Sequence, residues 1–155
     1  MSQTNELEIM ERIALDLEGV EESLASSFNT GAEDFNALIR PLSAAGGKRL
    51  RAQLCLLIAN AGTSVERQRI RIAEAVEMLH LATLIHDDVL DQAEIRRGED
   101  TIHMHKGNKV AILSGDYLFA KAFQIVSEMP DMKYLQIFSH IISCLVEGEF
   151  MQMED

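Results

Sequence analysis

Four carboxylates, two arginines and two histidines lie within nineteen residues, from 80 to 98. On a helix, His80, Asp87 and Asp91 share one face, because steps of three and four residues return to the same side, while Asp88 points partly away. Two carboxylates four residues apart repel each other unless a cation lies between them, and oxygen ligands suit a hard ion such as Mg2+. Since Mg2+ usually takes its other ligands from water and phosphates, the spacing predicts a site for a phosphorylated ligand.

The flanking sequence decides between this site and a simpler alternative, a solvated acidic face near a helix end. The acidic motif in isolation favours the simpler alternative. Its neighbours are apolar and would bury most of the helix: Leu79, Leu81, Leu84, Ile85, Val89 and Leu90. Charges on a largely buried helix need partners, and Arg96 and Arg97 follow with planar cations that suit phosphate oxygens.

A second basic cluster follows two glycines at 46–47, which free the backbone to approach a ligand. Lys48 and Arg51 are three residues apart, so they share a face in the first turn of the next helix, where unpaired N–H groups favour anions. These residues alone leave open the alternative of a glycine stop followed by solvated charge.

The composition predicts one compact helical domain over residues 1–155, since 47% of the residues are hydrophobic and only two are proline. The net charge of −11 argues against nucleic acid or an anionic membrane surface as a partner. The acidic start has no secretory signal, and no apolar run seen in the sequence approaches the roughly 20 residues of a membrane span. We therefore expect a cytoplasmic protein without a transmembrane segment, with Cys55 and Cys144 as reduced core residues.

Apolar residues recur at helical spacing through most of the chain and predict an all-α fold without β-strands. A capping box at 63–66 starts the long central helix, which runs to Asp91. The stretch 99–108 has no period and is predicted as a loop whose histidines have no role. The preceding helix presents four residues that we interpret as core: Leu50, Leu54, Leu57 and Ile58.

The last helical run follows Pro130, and its methionines are interpreted as core filler. The sequence ends in this run at Asp155, without a capping glycine or a polar tail. We therefore expect the helix to continue in a complete fold, with the chain as a fragment, a subunit or an inactive truncated form.

Five motifs together resemble the trans-polyprenyl diphosphate synthases of the long-chain type, in order and in spacing. They are G-G-K-R-L-R at 46–51, E-M-L-H-L-A-T-L-I-H-D-D-V-L-D at 77–91, R-R-G at 96–98, G-D-Y-L-F-A at 115–120 and E-G-E-F-M-Q at 147–152. Each motif is weak alone, whereas five at family spacing are specific. The resemblance implies an isoprenoid-synthase-like helical bundle. This chain matches its N-terminal half only, because the family's second aspartate-rich motif is absent.

The resemblance implies an enzyme that ionises an allylic diphosphate and adds the carbocation to isopentenyl diphosphate, giving a long-chain polyprenyl diphosphate. Mg2+ held by Asp87 and Asp91, together with Arg96, would neutralise the leaving diphosphate, and Asp88 would support this cluster. Arg49 is expected to face solvent or a salt bridge. Four other residues match the positions that hold isopentenyl diphosphate: Lys48, Arg51, His80 and Arg97.

Two positions depart from the family pattern, since Ala52 and Asp100 each stand where a proline is usual. Neither change removes a ligand, but each leaves φ unfixed. Product length is predicted from Ala82 and Thr83, whose small side chains leave room for a growing tail, with Leu79 as a candidate for a deeper stop. Alternatively, the two residues are small because helices pack closely there.

The residues leave two functions open. The first is the prenyltransferase itself, although this chain alone lacks several walls of that enzyme's substrate cavity. The second is a non-catalytic diphosphate-binding protein or partner subunit. The resemblance implies a homodimer, or a heterodimer with a synthase subunit. A third alternative is a metal-binding helical bundle without prenyl chemistry. The basic motifs argue against it, because a metal site alone does not require residues that bind phosphate.

Overall fold

The computed structural model describes residues 3–28, 33–44 and 47–153 of the chain. This part contains seven helices: α1 (Gln3–Ser27), α2 (Glu33–Ala44), α3 (Leu50–Asn60), α4 (Glu66–Leu90), α5 (Ile102–Lys106), α6 (Asn108–Ser127) and α7 (Met132–Met153). Two short strands, β1 (Ile95–Arg96) and β2 (Glu99–Asp100), form an antiparallel hairpin between α4 and α5. The predicted all-α class is confirmed, with this hairpin as a local exception.

Helix α4 is the central element, and it packs against α6, α3 and α1. Small side chains on its buried faces, among them Ala73, Ala75 and Ala82, let the neighbouring helices approach closely. Gly115 of α6 lies against His86 of α4, where an added Cβ would overlap the imidazole. This glycine therefore permits close packing of α6 on α4.

A buried carboxylate joins α1 to α4. Glu74 is fully buried and accepts hydrogen bonds from the hydroxyls of Ser23 and Ser27, each at 2.6 Å. Arg71 donates to the same carboxylate at 2.6 Å. Because a buried charge is stable only when it is paired and hydrogen-bonded, this cluster fixes how the two helices lie against each other.

The segment 99–108 is not the predicted loop. Arg97 and Gly98 have φ values of 55° and 87° and form the turn of the hairpin, in which Arg96 pairs with Glu99. Positive φ at both central residues is what a type I′ turn requires. The short helix α5 follows directly. Strands of two residues and a helix of five are too short to show a period, so the sequence pattern could not predict them.

The prediction of which α3 residues belong to the core was wrong. Four apolar side chains are exposed to solvent: Leu50, Leu54, Leu57 and Ile58. The buried side of α3 carries Ala52 and Leu56 instead. The apolar period shows which residues share a face, but it cannot show whether another element covers that face.

Helix α7 differs from the expected core helix in the same way. Among its described residues, Phe138 is the one that is buried. Met151 and Met153 are exposed, so they are not core filler. Cys144 is also exposed, and Cys55 is half-buried, so the prediction of two core cysteines was wrong for Cys144.

Two further expectations need correction. The capping box is not formed, because the residue before α4 is Val65, which has no capping side chain, and Glu66 is the first residue of the helix rather than the third. Helix α6 is long and apolar enough to cross a membrane by length and composition alone, although no such run was expected. Its buried residues include Ala111, Leu118 and Ala122, and the core helix of a soluble protein meets the same criterion.

Candidate functional site

Basic side chains from three elements line a cavity of about 240 Å3, which we call the basic pocket. Arg51 comes from the first turn of α3, His80 from α4 and Arg97 from the hairpin turn. Lys48 precedes Arg49, the residue before α3, so the prediction that Lys48 lies in the first helical turn was wrong. The four residues predicted to bind isopentenyl diphosphate therefore lie around one cavity. Gly47 forms part of the wall, where an added Cβ would lie 3.1 Å from Nη2 of Arg97. Gly46 lies outside the described residues.

Arg51 and His80 are in direct contact, with Nη1 of the guanidinium 3.1 Å from Nε2 of the imidazole. Because a guanidinium can only donate, Nε2 must accept, so this imidazole is neutral and carries its proton on Nδ1. Burial lowers the pKa of His80. The positive charges of Arg51, Arg97 and Arg96 lower it further, against the attraction of Glu77. A neutral His80 leaves the positive charge of the pocket on its lysine and arginines.

The start of α3 is fixed by two acidic side chains. Arg49 has a left-handed conformation, with φ 46° and ψ 37°. Its guanidinium donates to Glu21 at 2.6 and 3.0 Å and lies 3.4 Å from Glu77. Burial disfavours its charge, but these two carboxylates outweigh that effect and raise the pKa of Arg49. Of the two alternatives expected for Arg49, solvent or a salt bridge, the structure has the salt bridge.

Glu77 also binds the backbone of α3, because its second oxygen accepts the N–H of Ala52 at 3.0 Å. A helix leaves its first N–H groups without partners, and α3 has no side-chain cap of its own. Ala52 stands at one of the two positions where the sequence departs from the usual proline, which has no N–H to donate. Glu77 therefore uses a hydrogen bond that this departure makes available.

An apolar groove of about 510 Å3 lies beside the basic pocket, between α4, α6 and α7. Its apolar lining consists of Leu84, Leu90, Phe119, Ile142, Leu145, Val146, Phe150 and Met153. Arg51 and His80 line both the groove and the basic pocket. A cationic site that opens directly onto an apolar surface suits a ligand with an anionic head and a hydrocarbon tail.

The aspartates of α4 lie on different sides of the helix. Asp87 lines the groove, whereas Asp88 is buried and accepts a hydrogen bond from Nε of Arg96 at 2.7 Å. This divergence agrees with the helical spacing. Asp91 follows the last residue of α4 and is exposed. Asp88 is thus in a position to act through Arg96 rather than at the groove.

Asp87 lies among other negative charges. Burial raises the pKa of Asp87, and the negative charges of Glu149, Asp91 and Asp88 raise it further, against the opposing effect of Arg96. Within the described ranges, no group of three or more histidine, cysteine, aspartate or glutamate side chains is arranged to hold a metal ion. Mg2+ is usually bound by one or two carboxylates, with water and phosphate oxygens at its remaining coordination positions.

The residues predicted to set product length occupy different places. Thr83 lines the groove, and its hydroxyl donates to the His80 carbonyl at 2.8 Å. Thr83 and Leu79 also line an adjoining cavity of about 240 Å3. Ala82 is fully buried and is not among the residues that line either space. Its burial agrees with the alternative that alanine serves close helix packing at this position.

Three residues of the site were not predicted from the sequence. Glu77 binds an amide 25 residues away in the chain, and no local pattern indicates such a contact. His86 and Glu149 line the groove beside Asp87. Glu149 lies in the quoted E-G-E-F-M-Q motif and His86 in the quoted motif at 77–91, so both motifs were usable signals for these positions.

Comparison with known proteins identifies relatives over most of the chain. The family model described as polyprenyl synthetase matches residues 32–155. Octaprenyl diphosphate synthase of Escherichia coli is 33% identical over 145 residues, which cover 94% of this chain and 45% of that protein. The chain therefore spans about half the length of the curated relatives it matches.

Solved structures agree with this relationship. The heptaprenyl diphosphate synthase of Staphylococcus aureus matches with a TM-score of 0.87 and 30% identity, over 92% of this chain and 46% of that one. A polyprenyl synthase of Caulobacter crescentus, complexed with calcium and isoprenyl diphosphate, matches with a TM-score of 0.86 and 36% identity, over 92% and 45%.

Proposed function

The chain belongs to the polyprenyl synthetase family, and we propose that it supplies the diphosphate-binding part of a prenyltransferase that makes long-chain all-trans polyprenyl diphosphates. The observation that carries this proposal is the sharing of Arg51 and His80 between the basic pocket and the apolar groove. Two diphosphates and a hydrocarbon tail can meet at that boundary.

The proposed reaction joins an allylic diphosphate to isopentenyl diphosphate. The bond between the allylic carbon and its diphosphate oxygen breaks, and the diphosphate leaves with the electron pair. The resulting cation bonds to the terminal alkene carbon of isopentenyl diphosphate. A proton on the carbon next to the new cationic centre then passes to a base, for which the released diphosphate is available, and a double bond is restored. Lys48, Arg51 and Arg97 would hold isopentenyl diphosphate, with His80 accepting from Arg51. Arg96, oriented by Asp88, would stabilise the charge that develops on the leaving diphosphate.

We propose Mg2+ as the cofactor, with Asp87 and Asp91 as its protein ligands. When bound, it supplies positive charge against the leaving diphosphate. The negative charges around Asp87 support this choice. The Caulobacter crescentus relative is complexed with calcium and isoprenyl diphosphate, which supports a divalent cation and a prenyl diphosphate as ligands.

The test uses a chimaera in which this chain replaces the corresponding part of the Escherichia coli octaprenyl diphosphate synthase. With labelled isopentenyl diphosphate and farnesyl diphosphate, the chimaera should form long products, while the 155-residue chain alone should form few or none. Asp87→Ala or Asp91→Ala should lower kcat by about 100- to 1000-fold, because each removes charge stabilisation from the leaving group. Near-normal rates in both variants would contradict the metal assignment.

The finer features of this function are also proposals. We infer products longer than geranylgeranyl diphosphate, since Thr83 leaves the groove open beside Asp87. Assembly as a homodimer, or as a heterodimer with a synthase subunit, stays a prediction. A cytoplasmic location likewise stays a prediction.

A further inference from the structure

Arg49 and Glu77 lie in the wall of the basic pocket, but their charges are directed at each other. The Arg49 side chain is 12% exposed and is held by Glu21 as well as by Glu77. Its backbone is in the left-handed region, which a residue with a Cβ adopts only when the surrounding structure compensates for the strain. This guanidinium therefore anchors the chain and is not available as a ligand.

Glu77 connects the two helices that carry the pocket. It accepts the Ala52 N–H in the first turn of α3, and it lies one turn before His80 on α4. Residues three apart on a helix are neighbours on its surface. The turn of α4 that carries His80 thus also fixes the start of α3, where Arg51 lies in the first turn and Lys48 lies just before it.

We propose that Glu77, together with Arg49, is a positioning residue that holds the first turn of α3 so that Lys48 and Arg51 converge with His80 on one diphosphate. The inference rests on the proposed function, because it assumes that the basic pocket binds a diphosphate. Glu77 contributes no atom to the ligand. It supplies a cap to α3 and a counter-charge to Arg49, so its loss lets the turn move and the cationic side chains separate.

The first measurement is the affinity of the 155-residue chain for isopentenyl diphosphate and for inorganic diphosphate, by calorimetry below the unfolding temperature. Glu77→Ala should weaken both affinities by roughly five- to tenfold, the effect of losing one helix cap. Glu77→Gln should lose less affinity for both diphosphates, because its amide oxygen can still accept a hydrogen bond from the Ala52 N–H. This near-isosteric variant also keeps the comparison possible if Glu77→Ala fails to fold.

The matched control is Glu74→Ala. Glu74 is also a buried carboxylate on α4, but its partners are Ser23, Ser27 and Arg71, away from the basic pocket. This change should lower the unfolding temperature while leaving diphosphate affinity within about twofold, since sites without shared partners act independently. An equal loss of affinity in Glu74→Ala and Glu77→Ala would overturn the inference.

A rescue variant gives a second test. Ala52→Pro removes the N–H that Glu77 binds and fixes φ at a value that the first turn of a helix accepts. In this background Glu77→Ala should weaken diphosphate binding less than in the unmodified chain, because the turn no longer depends on the hydrogen bond. The same fold-loss in both backgrounds would show that Glu77 acts in another way.

Amide hydrogen exchange separates this inference from the proposed function. In Glu77→Ala, the Ala52 amide should exchange faster than in the unmodified chain. In Glu74→Ala, any increase at Ala52 should be no larger than the increase at the other amides of α3. If the unmodified chain binds neither diphosphate, the proposed function fails, and the exchange rate still decides the positioning claim. Unchanged exchange at Ala52 in Glu77→Ala would overturn that claim.

Discussion

The imidazole of His86 occupies the space into which a side chain on Gly115 would project. Nε2 of His86 lies 3.1 Å from the Ile112 carbonyl oxygen and 3.5 Å from a carboxylate oxygen of Asp116. The ring thus packs on the backbone of α6 while it lines the apolar groove. Close packing of α4 on α6 and the shape of the groove depend on the same contact.

We expect Gly115→Ala to destabilise the fold by about 1–3 kcal/mol, because inserting a methyl group into a packed interface forces its neighbours to move. Gly148 of α7 is the matched control, since an added Cβ there meets nothing within 4 Å. Gly148→Ala should stabilise the helix by roughly 0.5–1 kcal/mol. Chemical denaturation measures both changes. Equal effects of the two substitutions would show that His86 does not restrict Gly115.

Asp16 provides a prediction about stability. Its side chain is 4% exposed and accepts hydrogen bonds from Arg69 at 2.6 and 2.9 Å. Asp16→Asn should lower the free energy of unfolding by about 3 kcal/mol, because it removes the buried counter-charge of the Arg69 guanidinium. Glu66→Gln is the control, since Glu66 is 74% exposed and lies 3.9 Å from the same arginine. Its effect should stay below about 0.5 kcal/mol.

The same carboxylate predicts a pH dependence. Burial disfavours its charge, but the hydrogen bonds from Arg69 and Asn60 outweigh this effect and lower the pKa of Asp16. The unfolded chain therefore takes up a proton first as the pH falls, so the contribution of Asp16 is complete above its ordinary pKa. This contribution is lost as the pH falls from the ordinary pKa through the lower pKa that Asp16 has in the folded chain. Thermal unfolding in acid should show this loss in the unmodified chain, and Asp16→Asn should lack it.

His80 should titrate below the ordinary histidine value in the folded chain. Burial and the charge of Arg51 lower its pKa, so Arg51→Ala should raise it toward that value. Because the unfolded chain binds the proton first, acidification through this window also lowers stability. Titration of the His80 ring by NMR measures the shift, with Lys109→Ala, which removes the same charge at the start of α6, as the control. A His80 pKa that is the same in both variants would contradict the contact.

Thr83 and Ala82 should respond differently to the same enlargement. In the chimaera, Thr83→Phe places a ring in the apolar groove and should shorten the products to near farnesyl diphosphate. Ala82→Phe should instead reduce the amount of folded protein, because Ala82 is fully buried. Chromatography of the dephosphorylated products gives the distribution. Unchanged products from Thr83→Phe would show that the tail runs elsewhere.

The sequence predicted the helical class and the face that carries His80 and Asp87, because both depend on helical periodicity and on local motifs. It could not predict that Leu54 and Met151 are exposed, since a period does not show which faces are covered. The contact between Glu77 and Ala52 joins residues far apart in the chain. Such contacts depend on how helices pack, which is set by many side chains together.

Arg96 and Arg97 test the central claim, that this chain forms two separate sites for two diphosphates. Arg96 is paired with Asp88, whereas Arg97 lines the basic pocket beside Gly47. The most direct measurement is steady-state kinetics of the chimaera with each substrate varied in turn. Arg97→Ala should raise KM for isopentenyl diphosphate by at least about tenfold, the loss of one charged hydrogen bond, with little change for the allylic substrate. Arg96→Ala should show the reverse, and two variants with the same kinetic change would contradict the claim.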